Sequence, residues 1–257
     1  MTHVLPWGDH STKLSKLLEW KGLNARDSRF QPSRSSTLDM SWQESREFLN
    51  ILLEPMPRHR QGLKIYVEWG AGGSTELIAF LALSGLIKGG IRAYSIESGL
   101  GWMQIMRQRS TLVAAAERAG HLKFVHGDIG LTAHLGYPAK GWNSSDTART
   151  MRYVGLKQLG EPAFDVVLDD GRFRVACALE ALSYLRSGSI VMLHDFAVRN
   201  RGASAERIAE YTNGLVRPNF YSIVRKNETL GVLTPGPEAS NESAVAAAMQ
   251  RALHSPR

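Results

Sequence analysis

The run Tyr66-Val67-Glu68-Trp69-Gly70-Ala71-Gly72-Gly73-Ser74-Thr75 constrains this chain more than any other segment. Apolar residues lead straight into a glycine turn, and the residues beyond the turn open a helix. The pattern predicts a strand ending at Trp69, a turn whose glycines let a ligand approach the backbone with no Cβ in the way, and a helix capped by Ser74 or Thr75. Free N–H groups at such a helix start can face an anionic group. Three later strand ends finish on carboxylates in the same manner: Ser95-Ile96-Glu97, Val125-His126-Gly127-Asp128 and Val167-Leu168-Asp169-Asp170.

The turn also excludes ligands. The dinucleotide fingerprint G-x-G-x-x-G needs a glycine where this chain has Thr75, which disfavours a nicotinamide cofactor. Gly73-Ser74-Thr75-Glu76 lacks the lysine of a phosphate-cradling loop, which argues against ATP or GTP.

From Leu63 onward, strand patterns at 64–69, 91–96, 122–126, 164–168 and 189–193 alternate with helical patterns at 74–87, 100–118 and 172–185. In the second helix Trp102, Ile105, Met106 and Leu112 are expected to face inward. Such alternation implies right-handed crossovers and a doubly wound α/β fold, a mostly parallel sheet with helices on both faces. Ligands of such sheets bind outside the carboxyl ends of the strands, where strand order reverses. All the glycines and carboxylates above fall on that edge.

Ahead of this unit, Leu14, Leu17 and Leu18 share a helical face within 11–21, and 24–37 reads as a polar linker. Ser41 and Glu44 form a capping-box pattern for a helix carrying Phe48, Leu49, Leu52 and Leu53, which Pro55 and Pro57 should stop. The expected organisation is an N-terminal helical cap over 1–60, a Rossmann-like domain over 61–233, and a peripheral tail over 234–257 with an amphipathic helix near 245–253. Within the domain, 130–160 is too long for an ordinary crossover and is read as an inserted lid or substrate loop carrying Tyr137, Trp142 and Tyr153.

The net charge of +7, from 31 basic and 24 acidic residues, admits an acidic partner or a nucleic acid. The basic residues are scattered in short groups, such as Arg58-His59-Arg60, Arg172 with Arg174, Arg199 with Arg201, and Arg225-Lys226, which favours a solvated surface. The single cysteine, Cys177, lies in an apolar helical run and is expected in the core. It excludes an intramolecular disulfide or a cysteine-based zinc cluster and suits a reducing compartment. The chain shows neither a signal-peptide pattern nor an apolar run of the ~18 residues a membrane span needs, so a cytoplasmic protein without a membrane partner is expected.

The phrases Glu68-Trp69-Gly70-Ala71-Gly72-Gly73-Ser74-Thr75, Tyr94-Ser95-Ile96-Glu97, His126-Gly127-Asp128-Ile129-Gly130, Asp169-Asp170-Gly171-Arg172-Phe173-Arg174-Val175-Ala176-Cys177 and Leu193-His194-Asp195-Phe196 resemble the class I S-adenosylmethionine-dependent methyltransferases, in a little-characterised bacterial branch. The resemblance runs from about Ser41 to Leu233 by the same strand-and-turn reading. It implies a seven-stranded sheet and a cofactor site. Glu68, Gly70, Gly72, Gly73 and Ser74 would hold the methionine end, Glu97 would accept hydrogen bonds from both ribose hydroxyls, and Asp128 with Ile129 would flank the adenine. A carboxylate has two acceptor oxygens for a vicinal diol, and glycine permits close approach, so the residue types suit these roles.

Methyl transfer from a sulfonium is an in-line displacement, dominated by positioning, with a base needed only when the acceptor must lose a proton. Candidates lie at the ends of the fourth and fifth strands. His194 would deprotonate an acceptor hydroxyl that Asp170 orients, or else pack or cap, and Asp169 stands beside them. Arg172 and Arg174 would clamp an anionic substrate, with Asp195 nearby, and Trp142 would close over a sulfonium or sugar ring or else pack under the loop.

Asp169, Asp170 and Asp195 also invite Mg²⁺. Metal-dependent O-methyltransferases with this sheet place an Asp-Asn or Asp-Asp pair after the fifth strand; here the pair is His194-Asp195, so a metal is disfavoured. The expected activity is O-methylation of a small molecule or saccharide. A nucleic-acid (RNA) methyltransferase is an alternative, opposed by the absence of a [D/N]-P-P-[Y/F/W] turn at Asp169-Asp170-Gly171-Arg172, and a non-catalytic Rossmann-like binding module is another. A homodimer is left open.

Overall fold

Ser41 and Glu44 form the box the sequence announces. The Ser41 hydroxyl accepts from the Glu44 amide at 3.2 Å, and the Glu44 carboxylate accepts from the Ser41 amide at 2.7 Å. They start helix α1 (Trp42–Leu53), which ends ahead of Pro55. The computed structural model describes residues 40–55, 62–133, 136–139, 147–196, 210–227 and 229–255. The expected helix at 11–21, the linker at 24–37, Arg58-His59-Arg60, Trp142, Arg199 and Arg201 lie outside the described residues.

The chain then alternates as its periodicity dictates: β1 (Lys64–Trp69), α2 (Gly73–Ser84), β2 (Ile91–Glu97), α3 (Leu100–Arg109), α4 (Thr111–Arg118), β3 (Leu122–His126), α5 (Thr147–Val154), β4 (Phe164–Asp169), α6 (Arg174–Leu182), β5 (Leu185–Leu193), β6 (Tyr221–Asn227), β7 (Leu230–Pro235) and α7 (Glu242–Ala252). The strands form one sheet of seven in the order β3-β2-β1-β4-β5-β7-β6. Neighbours among β1 to β5 pair in parallel, and β7 runs antiparallel to both β5 and β6. This is the doubly wound, mostly parallel sheet expected, and its strand order reverses between β1 and β4.

Two apolar layers bury the sheet. Along β1 the pleat sends Ile65, Val67 and Trp69 into one layer, with residues of α5, α6 and α7, and Tyr66 into the other, with residues of α1, α2 and α4. Cys177 is fully buried in the first layer, as expected.

Four details differ from the sequence expectation. The helix expected over 100–118 is two helices, because Ser110 adopts an extended backbone and its hydroxyl accepts from the Val113 amide at 3.4 Å, capping α4. The helix expected from 172 starts at Arg174, since Phe173 sits at a left-handed φ of 55°. The segment expected as a lid is partly core: α5 buries Tyr153 and Val154, and the Trp69 indole donates to the Tyr153 carbonyl at 2.9 Å. The tail is likewise part of the core, with Ala248, Ala252 and Leu253 buried in the same layer as α6.

The amino-terminal edge of the sheet holds buried charge that is fully partnered. Lys64 Nζ donates to the carbonyls of Leu52 at 2.7 Å and Glu54 at 2.9 Å, satisfying the orphan acceptors at the end of α1. Asp165 accepts from the Ile65 amide at 2.8 Å and from Arg186 at 2.7 and 3.0 Å. Among the described residues no helix is long and apolar enough to cross a membrane.

Candidate functional site

Gly70 turns the chain out of β1 at φ +88°, and a Cβ there would meet the Asp170 carbonyl at 2.7 Å. Only glycine fits both the angle and the approach. The Gly70 amide donates to Ile96 and the Asp170 amide to Trp69, so the ends of β1, β2 and β4 are tied at one point. The helix beyond starts at Gly73 with Gly72 as its cap, so neither Ser74 nor Thr75 caps it as expected. Thr75 works instead from inside the first turn, its hydroxyl accepting from the Gly72 amide at 2.9 Å and donating to Glu68. Ser74 is buried beside it.

Glu68 has no exposed surface. Its carboxylate accepts from Thr75 and, at 2.8 Å, from the Tyr66 hydroxyl. Burial pushes its pKa above the usual glutamate range, against the pull of hydrogen bonds from Thr75, Ser95, Ser74 and Tyr66. It therefore stands behind the turn and acts on it through Thr75.

Glu97, at the end of β2, reaches that turn. One oxygen accepts from the Ala71 amide at 3.1 Å, and the other from the Gly99 amide at 2.7 Å and the Ser98 hydroxyl at 3.2 Å. Sequence reasoning missed Trp102 here: expected inward, it is 40% exposed. Its indole donates to the Ala71 carbonyl at 2.7 Å, while Met103 and Met106 fill the inward positions. Ala71 is thus held on both sides. At the end of β3, Asp128 accepts from the Gly130 amide at 2.8 Å and faces Arg152 at 3.5 Å, half-exposed, while Ile129 is fully buried.

The ends of β4 and β5 carry the remaining acids. Asp169 is fully buried, accepts at 3.4 Å from the Gly171 amide, and keeps an Oδ2 with no partner among the described residues. Burial drives its pKa well above the usual aspartate range, which favours the protonated acid. Asp170 behaves oppositely. It accepts from His194 Nδ1 at 2.9 Å and from Arg174 at 3.1 Å. Burial raises its pKa, but the His194 bond and the charges of His194 and Arg174 outweigh that, and its carboxyl stays ionised below the usual range. For His194 burial is the largest influence and lowers its pKa, yet the bond to Asp170 and the charges of Asp170 and Asp195 carry it above the ordinary histidine value.

Arg174 corrects the sequence expectation. It is 3% exposed, and its guanidinium donates to the carbonyls of Gly171 and His194 and to Asp170 and Asp195, so it binds the two loops together rather than facing a substrate. Arg172 is half-buried with its guanidinium 3.9 Å from the centre of the Tyr137 ring, a cation–π contact with the inserted segment. Asp195 sits at φ +56° against Arg174 at 3.3 Å. Tyr153, expected on a lid or substrate loop, instead braces the floor: its hydroxyl accepts from the Arg172 amide at 3.1 Å, and a Cβ at Gly171 would strike that oxygen at 2.0 Å.

No protein-family profile matches the chain, and neither does any curated protein sequence. Among solved structures, a methyltransferase-like protein from Silicibacter pomeroyi is similar at 23% identity and a TM-score of 0.56, over 86% of this chain and 99% of that one. A precorrin-6Y C5,15-methyltransferase from Geobacter metallireducens matches at 10% identity and a TM-score of 0.43, over 77% and 90% of the chains. The MycE methyltransferase of mycinamycin biosynthesis, in complex with Mg, S-adenosylhomocysteine and mycinamycin VI, matches at 12% identity and a TM-score of 0.45, over 78% and 51%. The first likeness establishes the fold, the Rossmann-like methyltransferase fold; the other two superpose too loosely to bear on function.

Proposed function

We propose that the protein is an S-adenosylmethionine-dependent methyltransferase acting on an oxygen of a small molecule or saccharide. The observation that carries this reading is convergence: Glu97 bonds the glycine turn, and the turn's Gly70 lies against Asp170, which holds His194. The carboxyl edge at the strand-order reversal thus joins a diol acceptor, a glycine cradle and an acid–histidine pair. The cradle at Gly70, which a Cβ would fill, and the acceptor set of Glu97 suit a nucleoside sulfonium.

When bound, S-adenosylmethionine supplies an electrophilic methyl group and leaves as the neutral thioether. Glu97 would take the ribose hydroxyls, the turn at Gly70, Gly72 and Gly73 would admit the amino-acid end, and Asp128 with Ile129 would border the base. Asp170 holds Nδ1 of His194 as the protonated nitrogen, which leaves Nε2 to accept the proton of the acceptor hydroxyl.

Titration calorimetry with S-adenosylmethionine and S-adenosylhomocysteine tests the cofactor assignment, and no heat with either would end it. A methyl-transfer screen across sugars, phenols, acids and RNA would identify the acceptor. With the acceptor in hand, kcat/KM should climb with pH through a window above the usual histidine value of 6.5, because the base must be neutral and its pKa is raised. A flat profile there, or full turnover by His194→Ala, would refute the base.

A further inference from the structure

The ligand atoms of Asp170, His194 and Asp195 lie within 4.8 Å of one another, an arrangement of two carboxylates and an imidazole that suits a divalent cation. A cation already faces it. Arg174 Nη2 lies 3.1 Å from Asp170 Oδ1, and Nη1 lies 3.3 Å from Asp195 Oδ2. The same side chain is anchored by Nε to the Gly171 carbonyl at 3.1 Å and by Nη1 to the His194 carbonyl, and it is 3% exposed. Four acceptors on two loops fix it there.

We propose that the Arg174 guanidinium is the resident cation of this cluster, filling the seat a metal ion would take, and that it is the positioning residue that locks Asp170 onto Nδ1 of His194. Arginine suits the task. Its planar fork spans two carboxylates at once and stays charged even when desolvated, whereas a lysine would offer one point of contact. Asp170 receives the fork from one side and the imidazole from the other, so the ring is held in one orientation and one tautomer. A metal ion at the same carboxylates would sit against a fixed positive charge and be repelled by it. The catalytic meaning of this rests on the methyltransferase reading; the occupancy of the cluster does not.

The full chain is titrated with Mn²⁺ and free ion is followed by electron paramagnetic resonance, for wild type, Asp170→Asn, Arg174→Lys and Arg174→Gln. Wild type is expected to take up no Mn²⁺ that Asp170→Asn removes. Arg174→Gln, checked for folding by circular dichroism, should gain Mn²⁺ affinity by roughly tenfold or more as the like charge disappears. One Mn²⁺ per wild-type chain, lost in Asp170→Asn, would overturn the proposal. For the positioning role, the proton on Nδ1 of His194 should give a downfield resonance, assigned by its loss in His194→Gln. That signal should vanish in both Arg174→Gln and Arg174→Lys, since neither keeps the fork; its persistence in either would refute positioning. If Arg174→Gln does not fold, the wild-type titration and a comparison of Arg174→Lys with wild type decide, since loss of the resonance with a retained charge and fold identifies the fork. Cofactor calorimetry on the same samples separates the outcomes, because absent heat would end the methyltransferase reading and leave the Mn²⁺ result standing.

Discussion

At the amino-terminal edge of the sheet Lys64 and Asp165 are buried and surrounded by partners, while at the carboxyl edge Asp169 is equally buried with one oxygen bonded to nothing among the described residues. The first edge uses charge to close the ends of elements. The second gathers acids whose protonation states burial has pushed apart: Glu68 and Asp169 up, Asp170 down, His194 up. Buried charge with complete partners is structural, whereas unresolved charge at strand ends beside a glycine turn marks a place where a ligand has something to gain.

The sharpest way to break this contrast is Glu97→Ala. Two charge-assisted hydrogen bonds to a ribose at about 1.5 kcal/mol each amount to a loss of roughly 100-fold in S-adenosylhomocysteine affinity by calorimetry. A change within the error of the titration would mean that the carboxyl edge is not the ligand edge. At the opposite edge, Lys64→Met should keep the volume but leave the last carbonyls of α1 unsatisfied, costing about 2 kcal/mol in urea unfolding with cofactor affinity unchanged.

Asp169→Asn sharpens the comparison through pH. A carboxyl with a raised folded pKa contributes stability that is complete below its unfolded value of 3.8 and is lost as pH rises toward the folded value. The asparagine variant escapes that loss. It should match wild type near the unfolded value and become more stable at neutral pH, the gap widening by at most about 1.4 kcal/mol per pH unit for one proton. Equal melting curves across that range would show that the acid is not buried neutral. The smallest effect is expected from Arg92→Ala, whose side chain is 47% exposed in its pair with Glu161; a change within about 0.5 kcal/mol is typical of such surface pairs.

Much of this architecture was legible in the sequence because it depends on local chemistry. The capping box at Ser41, the stop before Pro55, the strand at 64–69 and the glycine turn each follow from residues adjacent in the chain. What escaped depended on distant partners. Arg174 reads like Arg172 in sequence, both within three residues of Gly171, and only the return of β5 shows that one is buried against His194 and Asp195 while the other lies on Tyr137. Tyr153 reads as part of a long loop, yet the hollows left by Gly127 and Gly171 receive it. Trp102 fits an apolar helical stripe, and its outward turn depends on an acceptor 31 residues away.

Glu44 does more than complete a capping box: its carboxylate also takes the amide and hydroxyl of Thr229, across a separation of 185 residues. Thr229 sits at the bend between the last two strands, so the earliest described helix is stitched to the final hairpin. Few native contacts cost more chain entropy to form than this one. The stitch should close late in folding, and a polypeptide released stepwise from its N-terminus would carry Glu44 without its Thr229 partner until nearly the whole sheet had been made.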